Sequence, residues 1–67
     1  MLIARWSGRS VEVFNEHKQL IRRLTAMKNV VGVQCSGNNV EDGMVSIAEE
    51  GGRTELFRAT GVLVRRF

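Results

Sequence analysis

One cysteine and one histidine are all that this sequence of 67 residues offers for the cross-links that small domains use. A chain of this length buries only about 60% of the surface that its unfolded form exposes, so its hydrophobic core is thin. Cys35 alone cannot form an internal disulfide, and His17 stands too far from it in the sequence for zinc-ligand spacing. We therefore expect one domain, residues 1–67, that depends on close packing or on association with another subunit, and we favour a homodimer.

The basic residues outnumber the acidic ones by ten to seven, which gives a net charge of +3, and eight of the ten are arginine. A planar guanidinium group binds phosphate and carboxylate groups through two parallel hydrogen bonds, so an arginine bias indicates contact with anions. Because 43% of the residues are hydrophobic and the charges are interspersed among them, the chain is expected to fold. The charge therefore keeps nucleic acid among the predicted partners.

The sequence has no apolar run long enough for the core of a signal peptide, and none approaches the roughly 20 residues that a membrane span needs. A lone thiol is typical of proteins in reducing compartments, where disulfides are rare. These features predict a cytoplasmic protein without a membrane partner.

The segment after the first predicted strand, Met1 to Trp6, has the spacing of an amphipathic helix. Apolar positions three and four residues apart form one continuous stripe in a helical projection. Ser10 is a suitable N-cap, and acidic residues precede basic ones, as the helix dipole favours. The pattern predicts a helix over about residues 10–28, and a strand at 11–14 followed by a shorter helix from Asn15 stays open as the alternative. The stripe consists of Val13, Phe14, His17, Leu20, Ile21, Leu24 and Met27.

The second half of the sequence has the pattern of strands separated by turns. Val30 to Ser36 and Gly43 to Glu49 predict strands, and Glu49 to Gly52 predicts a hairpin turn. Residues 53–67 predict one long bent strand or two short ones, and a helical turn over residues 54–60 stays open. The predicted fold class is α+β, in the order β-α-β-β-β with or without a fifth strand. One amphipathic helix packs on a curved, mostly antiparallel sheet in this prediction.

No catalytic or metal-binding pattern is present in the sequence. His17 has no carboxylate, cysteine or second histidine at a spacing that builds a site, and its place in the stripe suits a packed ring at the helix boundary. Cys35 on a predicted buried strand is typical of a core residue. Glu41 and Asp42 are adjacent, unlike the alternating oxygen ligands of a calcium loop. We therefore predict a non-enzymatic protein with no catalytic residue, no metal and no cofactor.

The arginines and the C-terminal stretch Gly61 to Phe67 supply the candidate contact residues. In a strand, Arg65 and Arg66 point to opposite faces, so each face carries one arginine beside hydrophobic side chains. The predicted contacts with a partner or with phosphate are Arg5, Arg22, Arg23, Arg58, Arg65 and Arg66. The predicted interface or stacking residues are Trp6, Val62, Val64 and Phe67.

These features together predict a small protein-interaction or assembly module of a regulatory or inhibitory type. We expect it to associate with itself, or with a protein partner, through an open sheet face or through its C-terminal edge strand. A proline-free, β-branched strand at an edge is able to extend a neighbouring sheet. The alternative is a small basic regulator that binds nucleic acid by contacting phosphates through its arginines.

Overall fold

The chain folds into seven β-strands and contains no helix. The strands are β1 (Ile3–Ser7), β2 (Ser10–Phe14), β3 (Leu20–Thr25), β4 (Val30–Ser36), β5 (Met44–Glu49), β6 (Thr54–Arg58) and β7 (Leu63–Arg66). This computed structural model describes all 67 residues and places the strands in two antiparallel sheets, β1-β2-β3 and β4-β5-β6-β7. The structure is therefore all-β, and the predicted α+β class is wrong. It offers no helix long and apolar enough to cross a membrane.

Two strands joined by a tight turn occupy the segment for which a helix over about residues 10–28 was predicted. β2 and β3 pair antiparallel, with Val11 opposite Leu24. Val11 and Val13 are fully buried, whereas Leu20, a member of the predicted helical stripe, is half exposed. The alternative of a strand at residues 11–14 is thus right, and the shorter helix that accompanied it is wrong.

Asn15 shapes the turn between β2 and β3. Its side-chain oxygen accepts hydrogen bonds from backbone amides, in place of the backbone carbonyls that accept them in a helix. Asn15 Oδ1 accepts from the backbone amides of His17 at 2.8 Å and Gln19 at 3.0 Å. Asn15 Nδ2 donates to Gln19 Oε1 at 2.8 Å, and Lys18 adopts a φ of 64°, in the left-handed region. Asparagine side chains compete with helices in this way, so the turn divides the segment into two strands.

The remaining predictions of strands agree with the structure. The strand near the N-terminus, the strand Val30–Ser36 and the strand that ends at Glu49 are all confirmed. The predicted hairpin turn follows β5, and Gly51 and Gly52 both have a φ of 87°, a conformation that glycine adopts without steric cost. Residues Thr54–Arg58 form a strand rather than a helical turn, and β7 follows as a separate short strand.

Side chains from both sheets form one hydrophobic core. Each sheet therefore covers the apolar face of the other, which the predicted helix was expected to do. The buried faces of β2 and β3 pack against those of β5 and β6. A backbone hydrogen bond joins the sheets at one end, since the Val30 amide at the start of β4 donates to the Gly8 carbonyl in the β1–β2 turn at 2.8 Å. The Ala26 amide donates to the Arg9 carbonyl, also at 2.8 Å, and extends the pairing of β3 with β2. The core residues are Leu2, Val11, Val13, Leu24, Ala26, Val30, Val45, Ile47, Phe57 and Ala59.

Replacing Lys18 with glycine is expected to raise the free energy of unfolding by about 0.5–1 kcal/mol, because glycine adopts a positive φ without the Cβ clash of other residues. Urea unfolding measures the change. The matched control is Lys28→Gly, at an exposed lysine whose φ is not positive, where glycine is expected to lower stability. Equal or lower stability of Lys18→Gly contradicts the strain assigned to this turn.

Candidate functional site

The C-terminal strand β7 is the most open element of the fold. It pairs only with β6, so one of its two backbone edges has no strand beside it. All four of its residues are exposed, and so are the flanking Val62 and Phe67, at 57% and 61% of their surface. An edge strand with exposed apolar side chains is a template on which another chain can pair.

A β-bulge interrupts the pairing of β7 with β6. Arg65 lies opposite Leu56, but Leu63 lies opposite Phe57, so Val64 is the extra residue on the β7 side. The ends of the strand are held by backbone hydrogen bonds of 2.8 Å, from the Arg58 amide to the Val62 carbonyl and from the Phe67 amide to the Thr54 carbonyl. Bulges twist an edge and so restrict which strands can add to it.

The two adjacent arginines of β7 point to opposite faces, as predicted. Arg65 shares a face with Leu56, and its guanidinium carbon lies 4.5 Å from the centre of the Phe67 ring. Arg66 lies opposite Glu55 on the inner face, and its Nε donates to Glu55 Oε2 at 2.7 Å. Arg66 is therefore a structural cation as well as a surface charge, because the side chain of Glu55 is only 1% exposed.

A second buried glutamate, Glu49, lies beside Glu55. Glu49 ends β5 on the same face as the core residues Val45 and Ile47, and Ile47 is directly opposite Glu55. The Oε2 of Glu49 accepts from the Met27 amide at 3.1 Å. The other oxygen of each glutamate, Oε1, is buried and has no hydrogen-bond donor among the neighbouring groups.

The two carboxyl groups shift each other's pKa in opposite directions. Burial raises the pKa of Glu49, and so does its side-chain hydrogen bond with Glu55. Burial also acts to raise the pKa of Glu55, but the neighbouring Glu49 carboxyl group, the Arg66 guanidinium and the Met27 amide outweigh burial and lower that pKa overall. The pair therefore favours a neutral Glu49 beside an ionised Glu55.

The other four predicted arginine contacts lie at two places, the outer face of the first sheet and the turn that precedes β7. Arg5 lies on the outer face of the first sheet with its guanidinium 5.9 Å from the Phe14 ring, and Arg23 forms an ion pair of 2.8 Å with Glu12 on that same face. Arg22 lies against Gly61 in the turn before β7. Arg58 is exposed at the end of β6.

An open cleft of about 390 Å³ lies on the outer face of the second sheet. Trp6, predicted as an interface or stacking residue, lines it and is 45% exposed. No ionisable side chain lines the cleft, and so none of the predicted arginine contacts does. The lining residues are Trp6, Gly32, Val33, Gln34, Ser46, Ala48 and Thr54.

His17, Cys35 and the acidic pair Glu41 and Asp42 are the catalytic or metal-binding candidates that were considered in the sequence, and none of them was selected. His17 is exposed in the Asn15 turn, so its predicted packing at a helix boundary is wrong. Cys35 is half-buried against the core, and burial raises the pKa of its thiol, which keeps it a weak nucleophile. Asp42 Oδ1 accepts from the backbone amides of Asn38 and Asn39 within its own loop. No group of three or more potential metal ligands occurs in the structure.

Sequence reasoning missed the buried glutamate pair, although a signal for it was present. Val45, Ile47 and Glu49 alternate with a period of two, which places the carboxyl group on the buried face of the strand. Glu55 and Phe57 show the same alternation on β6. Comparison with protein-family models, with curated proteins and with solved structures finds no match to this chain.

Removing the cation of the buried ion pair is expected to cost at least about 2 kcal/mol in the free energy of unfolding at neutral pH, because Arg66→Met leaves a buried carboxylate without its charged partner. Arg23→Met is the matched control, since Arg23 and Arg66 each bond a glutamate eleven residues away on the neighbouring strand. The side chain of Glu12 is 33% exposed, so water replaces the lost arginine and the expected cost is below about 1 kcal/mol. Urea unfolding of both variants measures the difference. Equal costs contradict the structural role of Arg66.

Proposed function

We propose that this chain is a non-enzymatic assembly module that pairs with a second copy of itself through β7. The observation that carries the proposal is the exposure of every residue of β7 along a backbone edge with no strand beside it. The small core supports it, because ten buried hydrophobic residues leave a domain of this size with little stability of its own.

The order of residues in β7 fits antiparallel pairing with an identical strand. A two-fold axis at Val64 sets Val64 against Val64 and Leu63 against Arg65 of the second copy. In the same register Val62 lies opposite Arg66, so no arginine faces another. An axis at Arg65 places like charges directly opposite each other, which is destabilising. Arginine repulsion thus disfavours the registers centred on or between Arg65 and Arg66, and the register centred on Val64 is the one that we propose. The bulge at Val64 discourages unrelated strands.

The absence of ionisable residues from the cleft supports a binding role rather than an enzymatic one. A regulatory or inhibitory role fits a module whose working surface is a strand edge, because strand addition occupies or blocks the edge of another chain. The single half-buried thiol supports a reducing compartment such as the cytoplasm.

Light scattering coupled to size exclusion, over a concentration series and at low and ~0.5 M salt, tests the proposal, since screening at that salt separates ionic from apolar association. The parent chain is expected to give a dimer mass that survives the higher salt. Val64→Lys is expected to give a monomer, because two lysines then face each other at the axis. The matched control is Val31→Lys, at an exposed valine of β4, which is the opposite edge strand of the same sheet, and it is expected to stay dimeric.

A parent chain that stays monomeric through the concentration series overturns the proposal, as does a dimer that persists in Val64→Lys. The same experiment with mixed-sequence DNA and RNA oligonucleotides tests the alternative. A mass increase with oligonucleotide that disappears at ~0.5 M salt assigns the arginines to phosphate binding and replaces the self-association proposal. The ion pairs of Arg23 and Arg66 with glutamates weigh against that result, because those two cations are already neutralised within the fold.

A further inference from the structure

We propose that Glu49 and Glu55 hold one shared proton in the folded chain, and that uptake of a second proton releases Arg66 and loosens β7 from β6. The inference concerns the single chain and does not rest on self-association. It assigns a role to two buried carboxyl groups that neither the core nor the exposed edge requires.

The geometry of the pair calls for a proton. Each glutamate has one oxygen with a donor, the Met27 amide for Glu49 and the Arg66 guanidinium for Glu55, and one buried oxygen with none. Two ionised carboxylates can only accept hydrogen bonds, so neither can satisfy the other. A proton on Glu49 supplies the missing donor and removes one of two like charges from a site that is 1% exposed on both residues.

The charges around the pair decide which glutamate carries the proton. Arg66 from β7 acts directly on Glu55 and stabilises its ionised form. Arg53, at the end of the β5–β6 turn, acts on Glu49 only at longer range, and the connector between β3 and β4 contributes the neutral Met27 amide. Glu49 is therefore the protonated member, in agreement with the raised pKa of Glu49 and the lowered pKa of Glu55.

The stability that the pair contributes depends on pH in two opposite ways, one for each glutamate. The raised pKa of Glu49 gives stability that is complete below the ordinary glutamate pKa and is lost as pH rises through the folded pKa. The lowered pKa of Glu55 gives stability that is present above the ordinary value and is lost as pH falls through the folded pKa. Stability contributed by the pair is thus greatest while exactly one of the two groups is protonated.

Protonation of Glu55 at lower pH affects β7, because Arg66 belongs to that strand. Once Glu55 takes up a proton, its contact with Arg66 loses the attraction between opposite charges, and a hydrogen bond from a cation to a neutral carboxyl group is left. β7 is then held to β6 by its backbone hydrogen bonds, with Leu63 opposite Phe57. The Phe67 amide, which donates to the Thr54 carbonyl at 2.8 Å, reports on this docking at the end of the strand.

Carbon-13 NMR of the glutamate carboxyl groups across pH, with proton exchange of the Phe67 amide followed in parallel, tests the proposal. The parent chain is expected to show two separate titration steps, one above and one below the ordinary glutamate range. The protection of the Phe67 amide, which is its exchange rate compared with the intrinsic rate at the same pH, is expected to fall with the lower step. Two glutamates that both titrate in the ordinary range overturn the proposal, and so does a Phe67 amide that does not respond to the lower step.

Variants assign the two steps. Glu49→Gln is expected to remove the upper step and keep the lower one, because glutamine still accepts from the Met27 amide and donates to Glu55. Arg66→Met is expected to move the lower step to higher pH, since the cation that stabilises the ionised form is gone. The control Glu12→Gln changes a partly exposed ion-paired glutamate and is expected to leave both steps in place. Loss of the lower step in Glu49→Gln contradicts the assignment, and the two steps of the parent chain decide the matter even if a variant does not fold.

Discussion

The structure depends on two sheets burying each other's inner faces, because the chain has no helix to cover either of them. Val11 and Val13 of β2 meet Val45 and Ile47 of β5 at the centre of the core, and all four are fully buried. A small sheet needs a covered hydrophobic face for stability, so each sheet depends on the other, and the hydrogen bond from the Val30 amide to the Gly8 carbonyl joins them at one end. The glutamate pair and the exposed β7 both lie at the edge of this core, next to its last apolar residues.

Sequence periodicity located most of the strands but failed at the segment that determines the fold class. The alternation around Val45 and the glycine turn after Glu49 are local signals, and the structure follows them. Residues 13–27 also satisfy a helical stripe, and nothing in that spacing shows that Asn15 closes a turn with its own side chain. Two short strands of mixed polarity fit a helical projection by coincidence, and the pairing of β2 with β1 and with β3 decides in favour of the strands.

The candidate site was also predictable only in part, because local sequence patterns give the direction of side chains but not the pairing of strands. The opposite directions of Arg65 and Arg66 follow from strand geometry, which holds wherever the strand is placed. The partner of Arg66 does not follow, because Glu55 reaches it only through the pairing of β6 with β7. Likewise, the separation of Arg5 and Arg23 from the C-terminal arginines depends on the division into two sheets, which no local pattern reveals.

The edge strand and the glutamate pair are linked through one residue, since Arg66 binds Glu55 from the inner face of β7 while Arg65 shares the outer face with Leu56. Disulfide trapping examines the proposed pairing at its axis: Val64→Cys in a Cys35→Ser background, oxidised mildly and run without reductant. Paired strands bring Cα atoms to about 4.5–5.5 Å across the axis, a separation that a disulfide spans. Pairing of β7 with β7 predicts rapid conversion to a covalent dimer, with Val31→Cys in the same background staying monomeric. Equal trapping of the two variants, or none at Val64→Cys, contradicts it.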